Sequence, residues 1–169
     1  LSNCNTPAKK QEAITINPDS LVLNIDRFID SKVIVEGEII HVCEITGTKM
    51  KLRTGNGAII KISPKDSLIK YDTTYYKKNI RVTGTVKESR ILPEYINKVE
   101  IDKTLLCHID RTPCKDTIWI RKQIEKGISD SLSKRDVDKL RNTMIQTGKN
   151  YVSIVTIIAD NIAILDDKK

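Results

Sequence analysis

Aromatic residues and histidines are scarce in this chain. Phe, Trp and Tyr make up 4% of the 169 residues, with a single Trp and a single Phe, and two histidines are present. The sequence has no nucleophile elbow, no phosphate-binding Gly-rich loop and no pair of carboxylates beside a histidine, so it holds no complete catalytic constellation. Long apolar runs are missing as well, because none approaches the roughly 20 residues of a membrane-spanning helix. We therefore predict a protein that is not an enzyme and does not span a bilayer.

The chain is basic and otherwise has the composition of a folded domain. It contains 29 Lys and Arg against 22 Asp and Glu, which gives a net charge of +7. Hydrophobic residues are 39% and charged residues 30% of the sequence. This apolar content can form a core and excludes disorder throughout the chain. The length favours one domain with appendages, because single cores of this size are the commonest.

The first residues carry a short motif that resembles the end of a bacterial lipoprotein signal. A Leu stands three positions before Cys4, small residues lie between them, and a polar tether follows over residues 5–12. In such signals the Cys is the site of lipid attachment. We therefore expect residues 1–13 to be a lipoprotein-type N-terminus and tether, with lipidation at Cys4 and a location in the cell envelope, facing the periplasm or exposed at the surface. The alternative is that Cys4 is an ordinary thiol in a disordered tail.

Strand patterns begin after residue 31. Residues 32–42 are β-branched, alternate apolar with polar, and contain Gly37, which predicts a long strand that bends at the glycine. Met50 to Arg53 and Ala58 to Ile62 predict two shorter strands. The residues between them, Gly55, Asn56 and Gly57, are a strong hairpin signal, so these two strands should pair antiparallel.

The pattern after this hairpin completes a small barrel. Residues 65–77 are typical of a short helix or a wrapped loop, and strands are predicted at Ile80 to Lys87 and at Val99 to Leu106. A long first strand, a hairpin, a connecting segment and two closing strands are the layout of an OB-like, five-stranded, partly open barrel. We place this barrel domain at residues 14–106, with an SH3-like barrel as the nearest alternative.

The remainder, residues 107–169, is predicted to be an α/β extension that packs on the barrel. The fold class is therefore mostly β with an α+β extension, in which a helix and terminal strands follow the barrel. Asp116 to Lys126 could be a helix, although Ile118 and Ile120 could equally alternate on a strand. The other predicted elements are a helix from Lys134 to Thr147 with an N-cap at Ser133, and strands at Tyr151 to Ala159 and Asn161 to Leu165 that form a terminal hairpin.

Cysteine and histidine form two local clusters. His41 and Cys43 are two residues apart on a strand and therefore share a face. Cys107 and His108 are adjacent, and Cys114 follows. If the clusters approach each other, these five residues could bind Zn or Cu, the one cofactor class that the sequence suggests. The alternatives are a disulfide among the three cysteines, a buried core role for Cys43, and hydrogen-bonded structural histidines.

The first strand and hairpin carry a family resemblance. Residues 35–43 followed by residues 46–52 resemble OB-fold bacterial envelope lipoproteins of uncharacterised function, whose first strand reads roughly Gly-x-Val-x-x-Val-Cys before a Gly and often a Met. The match covers residues 31–88. Some members carry a second Cys after that Gly, and Thr48 occupies the position here. The resemblance implies the barrel and the envelope location, and it names no activity.

These observations lead to three functional hypotheses. The first is a lipid-anchored envelope protein whose OB-like barrel is a non-enzymatic binding or accessory module for a small molecule or an envelope protein. Its ligand face is expected on the first strand and hairpin, at His41, Cys43, Lys49, Met50 and Lys51. The second hypothesis is binding of Zn or Cu by the Cys and His clusters. The third is binding of single-stranded nucleic acid by Lys and Tyr, which an envelope location disfavours.

Overall fold

The computed structural model describes Pro7 and residues 10–165 of the chain. Cys4, the predicted lipidation site, lies outside the described residues. Six strands form one sheet that closes into a barrel. They are β1 (Ile14–Thr15), β2 (Lys32–Val42), β3 (Met50–Leu52), β4 (Ile59–Pro64), β5 (Asn79–Ile91) and β6 (Val152–Ile164).

The barrel follows the strand order β2-β3-β4-β6-β5, and β5 pairs back onto β2. All of these neighbours are antiparallel except β4 and β6, which are parallel. The short β1 lies outside the closed ring and pairs parallel with β2. The predicted five-stranded barrel with helical additions is therefore confirmed, and so is the antiparallel pairing of the two strands of the Gly55–Gly57 hairpin.

Side chains alternate along the first barrel strand as far as Ile39, and every second one points into the barrel interior. Val33, Val35 and Ile39 on β2 are completely buried and contribute to one apolar cluster inside the barrel. β2 pairs with β5 up to Glu38 and with β3 from Ile39 onward. Gly37 lies beside this change of partner, where a strand shared by two halves of a small barrel has to bend.

The prediction of a strand at Val99 to Leu106 is wrong. The first half of this segment belongs to the helix α3 (Pro93–Asp102). Pro93 stands in the first turn, where a missing N–H costs nothing, and Ile96 and Val99 are buried three residues apart on one helical stripe. The barrel is closed instead by β6, which lies within residues 107–169, the segment that the sequence assigned to an extension.

The predicted terminal hairpin is also wrong, because β6 runs without a turn from Val152 to Ile164. Opposite β5, Ala159 pairs with Gly84 and Asn161 pairs with Thr83, so Asp160 is an extra, bulged residue. Its carboxylate accepts contacts from the ammonium groups of two lysines, Lys32 at 2.7 Å and Lys65 at 3.4 Å. A polar residue in the middle of the apolar run therefore marks a β-bulge and not a turn.

The remaining helices lie outside the barrel. They are α1 (Pro18–Leu23), α2 (Ile25–Phe28), a 3-10 turn (Thr73–Tyr75), α4 (Thr117–Glu125) and α5 (Ser129–Thr147). The helical alternative for the α4 segment is correct, and α5 confirms the predicted helix but begins five residues earlier. Ser133 is consequently a buried residue inside α5 and not its N-cap. No helix among the described residues is long and apolar enough to cross a membrane.

A second apolar cluster joins α3 and α5 to the outer face of the barrel. Its central contacts bring Ile96 and Val99 of α3 and Val137 and Leu140 of α5 against Ile154 of β6. The insertion between β5 and β6 is thereby fixed to the barrel wall, and it carries the chain from Leu105 to Cys114 back over β3 and β4.

We predict that Gly84→Ala destabilises the barrel far more than Gly37→Ala. A Cβ atom at Gly84 would overlap the backbone carbonyl of Ile158, whereas one at Gly37 would stand 3.1 Å from the flexible end of Leu52. Because backbone cannot move aside, the first change should lower the free energy of unfolding by about 3 kcal/mol or more, and the second by about 1 kcal/mol. Denaturant unfolding of both variants measures this. Equal losses would contradict the tight crossing of β5 and β6.

Candidate functional site

A bulge near the end of β2 turns the side chain of His41 outward. Ile39 pairs with Leu52 and His41 pairs with Lys51, which leaves Ile40 as the extra residue. After this shift Val42 packs against the interior, while His41 stands on the outer face of the barrel. Bulges re-aim side chains in this way next to binding sites.

A short hairpin, residues 105–114, covers this outer face, and we call it the cover hairpin. Leu106 stands directly opposite Pro113, and the Cys107 amide donates to the Thr112 carbonyl at 2.7 Å. The Cys114 amide donates to the Leu105 carbonyl at 2.8 Å. These backbone bonds define the hairpin, which carries Cys107, His108 and Cys114 onto the barrel.

The tip of the cover hairpin is tied to the barrel through Asp110. Its carboxylate accepts the ammonium of Lys49 at 3.0 Å and that of Lys61 at 3.2 Å, and the hydroxyl of Thr112 donates to it at 2.7 Å. The Asp110 side chain is 5% exposed. Burial raises the pKa of this carboxyl, but the hydrogen bonds from Thr112 and Lys49 outweigh burial and hold the pKa well below its ordinary value.

A pocket of about 590 Å³ opens between the end of β2, the cover hairpin and the first turn of α4. Both histidines of the chain and every cysteine within the described residues line it: His41, Cys43, Cys107, His108 and Cys114. The apolar part of the lining consists of Val42, Ile45, Tyr76, Leu106, Ile109 and Trp119. The bulge and the cover hairpin together thus bring two distant Cys and His clusters into one concave site.

Three rings form a ladder along the pocket wall. The centroids of His41 and His108 are 5.5 Å apart and those of His108 and Trp119 are 5.8 Å apart, both edge to face. Burial, and then the charge of Lys51, lower the pKa of His41. Burial, and then His41, lower the pKa of His108. Both imidazoles are therefore neutral at pH 7 and can each donate and accept a hydrogen bond.

The five predicted metal ligands share the pocket, but they do not form a ligand set. Within residues 10–165 no group of three or more His, Cys, Asp or Glu side chains is placed to hold a metal ion. Cys43, Cys107 and Cys114 are free thiols. Cys107 and Cys114 lie diagonally across the cover hairpin, because Cys107 bonds to Thr112 and Cys114 bonds to Leu105.

The five predicted ligand residues lie in three different places: the pocket, the barrel core and the contact with the cover hairpin. His41 and Cys43 line the pocket. Met50 is completely buried in the barrel core, because alternation on β3 turns it inward. Lys49 is bound to Asp110, and the Lys51 ammonium lies 3.5 Å from the carbonyl of His108. Of the five residues expected on the ligand face, Lys49, Met50 and Lys51 therefore do not line this pocket.

The sequence reasoning missed Trp119 and Asp110. Trp119 lies at the N-terminus of α4, where its amide donates to the Asp116 carboxylate at 3.0 Å. The Asp116 cap was a usable signal for this helix start, and a lone Trp beside it was a candidate for a pocket wall. The contact of Asp110 with Lys49 joins residues 61 positions apart, and nothing local in the sequence marks it.

We predict that the two histidines make the fold less stable at mildly acidic pH. Below the ordinary pKa of 6.5 the histidines bind protons in the unfolded chain but stay neutral in the folded chain, where their pKa is lower. The free energy of unfolding should therefore fall as the pH drops. The depressed carboxyls contribute only near and below their ordinary values of 3.8 and 4.5. Denaturant unfolding between about pH 7 and pH 5 measures the effect. A His41→Asn, His108→Asn variant should lose most of this pH dependence, and an unchanged dependence would contradict the prediction.

The position of the pocket in the barrel links it to binding. It lies where the loop between the first and second barrel strands meets the connection between the fourth and fifth. These two loops flank the region in which OB barrels bind their ligands. Comparisons of the chain with protein-family models, with curated proteins and with solved structures found no match.

Proposed function

We propose that this protein is a non-catalytic binding module whose pocket takes a small, largely apolar ligand that is neutral or cationic. The observation that carries the proposal is the 590 Å³ pocket at the ligand-binding end of the barrel. Its volume lies in the range of small-molecule sites, and its lining combines apolar walls with a few polar groups, as such sites do.

The charges of the lining favour neutral or positive groups. Among the described residues no Lys or Arg lines the pocket, although the chain as a whole has a net charge of +7. Glu44 and Asp116 are the two charged residues in the lining, and both are acidic. The rings of Trp119 and Tyr76 add faces that attract cations. An anionic ligand would meet two carboxylates and no counter-charge.

The hydrogen bonds of the thiols support binding over catalysis. The sulfur of Cys43 accepts the hydroxyl of Thr46 at 3.2 Å, and the sulfur of Cys107 lies 3.5 Å from the amide of Ile109. A nucleophilic thiol needs a general base within hydrogen-bond reach. Across the part of the chain that the structure describes, neither thiol has a hydrogen bond to an imidazole.

The lysines just before β3 and on β4 do not favour the nucleic-acid hypothesis. Lys49 and Lys61 lie on the barrel face that binds oligonucleotides in many OB folds, but Asp110 already engages both ammonium groups. The cover hairpin also covers the face on which bases would have to stack. Nucleic acid would therefore have to displace an ion pair before it met these lysines.

Metal binding is the second candidate, and one specific observation favours it. All five Cys and His residues of the described chain line the same pocket, although they come from three separate positions in the sequence. Thiolate and imidazole are the ligands that Zn and Cu(I) prefer. Rotation of these side chains would have to bring three of them together. About one metal per chain in protein prepared without chelator, lost in Cys43→Ala, would place this function first.

The cellular location remains a proposal from the sequence. We propose that Cys4 carries a lipid that holds the module at a membrane of the cell envelope. The Leu, Ser and Asn that precede this Cys and the polar residues that follow it support the proposal. A single acyl chain binds a membrane only weakly, so such an anchor gains from additional chains or from basic residues nearby.

Three probes that share one ring and differ in charge test the proposed ligand class. They are benzylamine, benzyl alcohol and benzoate. We expect benzylamine and benzyl alcohol to shift the amide NMR signals of the pocket residues and to change the fluorescence of Trp119, the single Trp of the chain. Benzoate should bind about tenfold more weakly than benzyl alcohol. Its negative charge next to the carboxylates of Glu44 and Asp116 costs about 1.4 kcal/mol or more.

A matched pair of variants localises the charge preference. Glu44 lines the pocket, whereas Glu94 is an exposed residue of α3. Glu44→Gln should reduce the preference for benzylamine over benzyl alcohol, and Glu94→Gln should leave it unchanged. Binding of benzoate as strong as that of benzylamine, or signal shifts confined to residues outside the pocket, would contradict the proposal.

A further inference from the structure

A second cavity of about 400 Å³ lies on the other side of the cover hairpin. It is bounded by the turn before β4, the C-terminal half of α5 and the start of β6, with Val22 and Ile25 as apolar residues in its wall. It shares no lining residue with the first pocket. The charged side chains that line the two sites are opposite in sign.

The lining of this cavity is cationic and rich in neutral polar groups. Arg111, Lys139 and Lys149 line it, and no Asp or Glu of the described residues does. Around these three cations stand amide and hydroxyl side chains: Asn56, Asn142, Thr143, Gln146, Thr147 and Ser153. This combination is typical of sites for anions that also carry hydroxyl groups, because cations neutralise the charge and neutral groups bind the hydroxyls.

Within the described chain, two of these three cations have no carboxylate partner, and the third, Arg111, contacts only the shared carboxylate of Asp136. Lys139 and Lys149 form no ion pair among the residues that the structure describes, as the full set of pairs shows. Glu88 acts on Lys149 only from a distance, since Arg90 and Ser153 hold its carboxylate at 2.7 Å and 2.8 Å. The charges of Lys139 and Lys149 are therefore not compensated by an ion pair with any described residue.

Two residues beside the cavity, Asp136 and Lys51, also indicate an excess of positive charge. Asp136 is buried and shared between Arg111 at 3.5 Å and Arg135 at 3.4 Å, so one carboxylate serves two guanidinium groups. Burial, and then the charges of Arg111 and Lys139, lower the pKa of the neighbouring Lys51. Like charges that repel each other in one place would be stabilised by an anion.

The direction of α5 determines which part of the cavity suits an anionic group and which part suits hydroxyl groups. Thr143 and Thr147 lie in the last turns of the helix, and their hydroxyls donate back to the carbonyls of Lys139 and Thr143. These oxygens can then only accept, and the C-terminal end of a helix disfavours anions. Hydroxyl groups of a ligand suit this end, whereas an anionic group suits Arg111 and Lys139.

We propose that the second cavity binds a phosphorylated polyol of the sugar-phosphate class. Its phosphate lies against Arg111 and Lys139, and its hydroxyls donate to the last turns of α5. Phosphate accepts several charge-assisted hydrogen bonds at once, which matches a cluster in which the cations outnumber the carboxylates. The proposal concerns a separate site and does not depend on the ligand of the first pocket.

Ribose 5-phosphate, ribose and inorganic phosphate test the proposal on the full chain. Amide NMR titration at low salt should show ribose 5-phosphate binding at least tenfold more tightly than either of the other two, with shifts at α5 and at the start of β6. Sulfate at the same ionic strength measures unspecific anion binding. No shift at these residues, or equal binding of phosphate and ribose 5-phosphate, would overturn the sugar-phosphate assignment.

Two lysine variants with the same change in charge complete the test. Lys139 lines the cavity, whereas Lys98 is exposed on α3 and forms no ion pair within the described chain. Lys139→Gln should weaken binding of ribose 5-phosphate about tenfold, which corresponds to the loss of one charge-assisted hydrogen bond. Lys98→Gln should leave it unchanged. Equal weakening by both variants would show attraction by net charge alone and would overturn the proposal.

Discussion

One buried carboxylate holds the functional part of this molecule together. Asp110 inserts between Lys49 of the barrel and Lys61 of the neighbouring strand, and it fixes the cover hairpin to the barrel wall. The two lysine side chains are 14% and 21% exposed, so water screens these contacts only in part. Removing one partner of a buried pair usually costs far more than the pair contributes, because a charge is left without compensation. Together with the Tyr95 hydroxyl, which donates to the Arg111 carbonyl at 2.6 Å, this contact fixes the hairpin that borders both cavities.

The same hairpin separates two sites of opposite charge. On one side, Glu44 and Asp116 line a mostly apolar pocket that contains the thiols and imidazoles. On the other side, Arg111 and Lys139 line a polar cavity without carboxylates. Arg111 follows Asp110 directly and adopts a positive φ of 60°, which turns the chain at the tip. Two neighbouring residues of one turn thus contribute to the anchor of the hairpin and to the second cavity.

Much of the barrel could be predicted from local patterns. The alternation of Val33, Val35 and Ile39 and the turn at Gly55–Gly57 are signals within a few residues, and they located β2, β3 and β4 correctly. The closing strand was mispredicted because Asp160 interrupts an apolar run, and a bulge and a turn leave the same local pattern. Barrel closure by β6 is a pairing between distant segments, which periodicity does not encode.

The site was predictable only in part, for a similar reason. The sequence indicated His41 and Cys43, and it indicated Cys107 and Cys114 as a second cluster, but their meeting in one pocket depends on the bulge at Ile40 and on the cover hairpin. A bulge of one residue reverses which side chains face outward, and single-sequence patterns do not specify it.

The stability of the cover hairpin in Asp110→Asn tests this account most directly. Asp138→Asn is the matched control, because Asp138 forms an exposed ion pair with Lys134 on α5 at 2.9 Å. The account predicts that Asp110→Asn lowers the free energy of unfolding by about 2 kcal/mol and speeds hydrogen exchange at the Cys107 and Cys114 amides, whereas the control costs less than about 0.5 kcal/mol. If both variants cost the same and those two amides keep their protection, Asp110 does not hold the hairpin and the central claim is wrong.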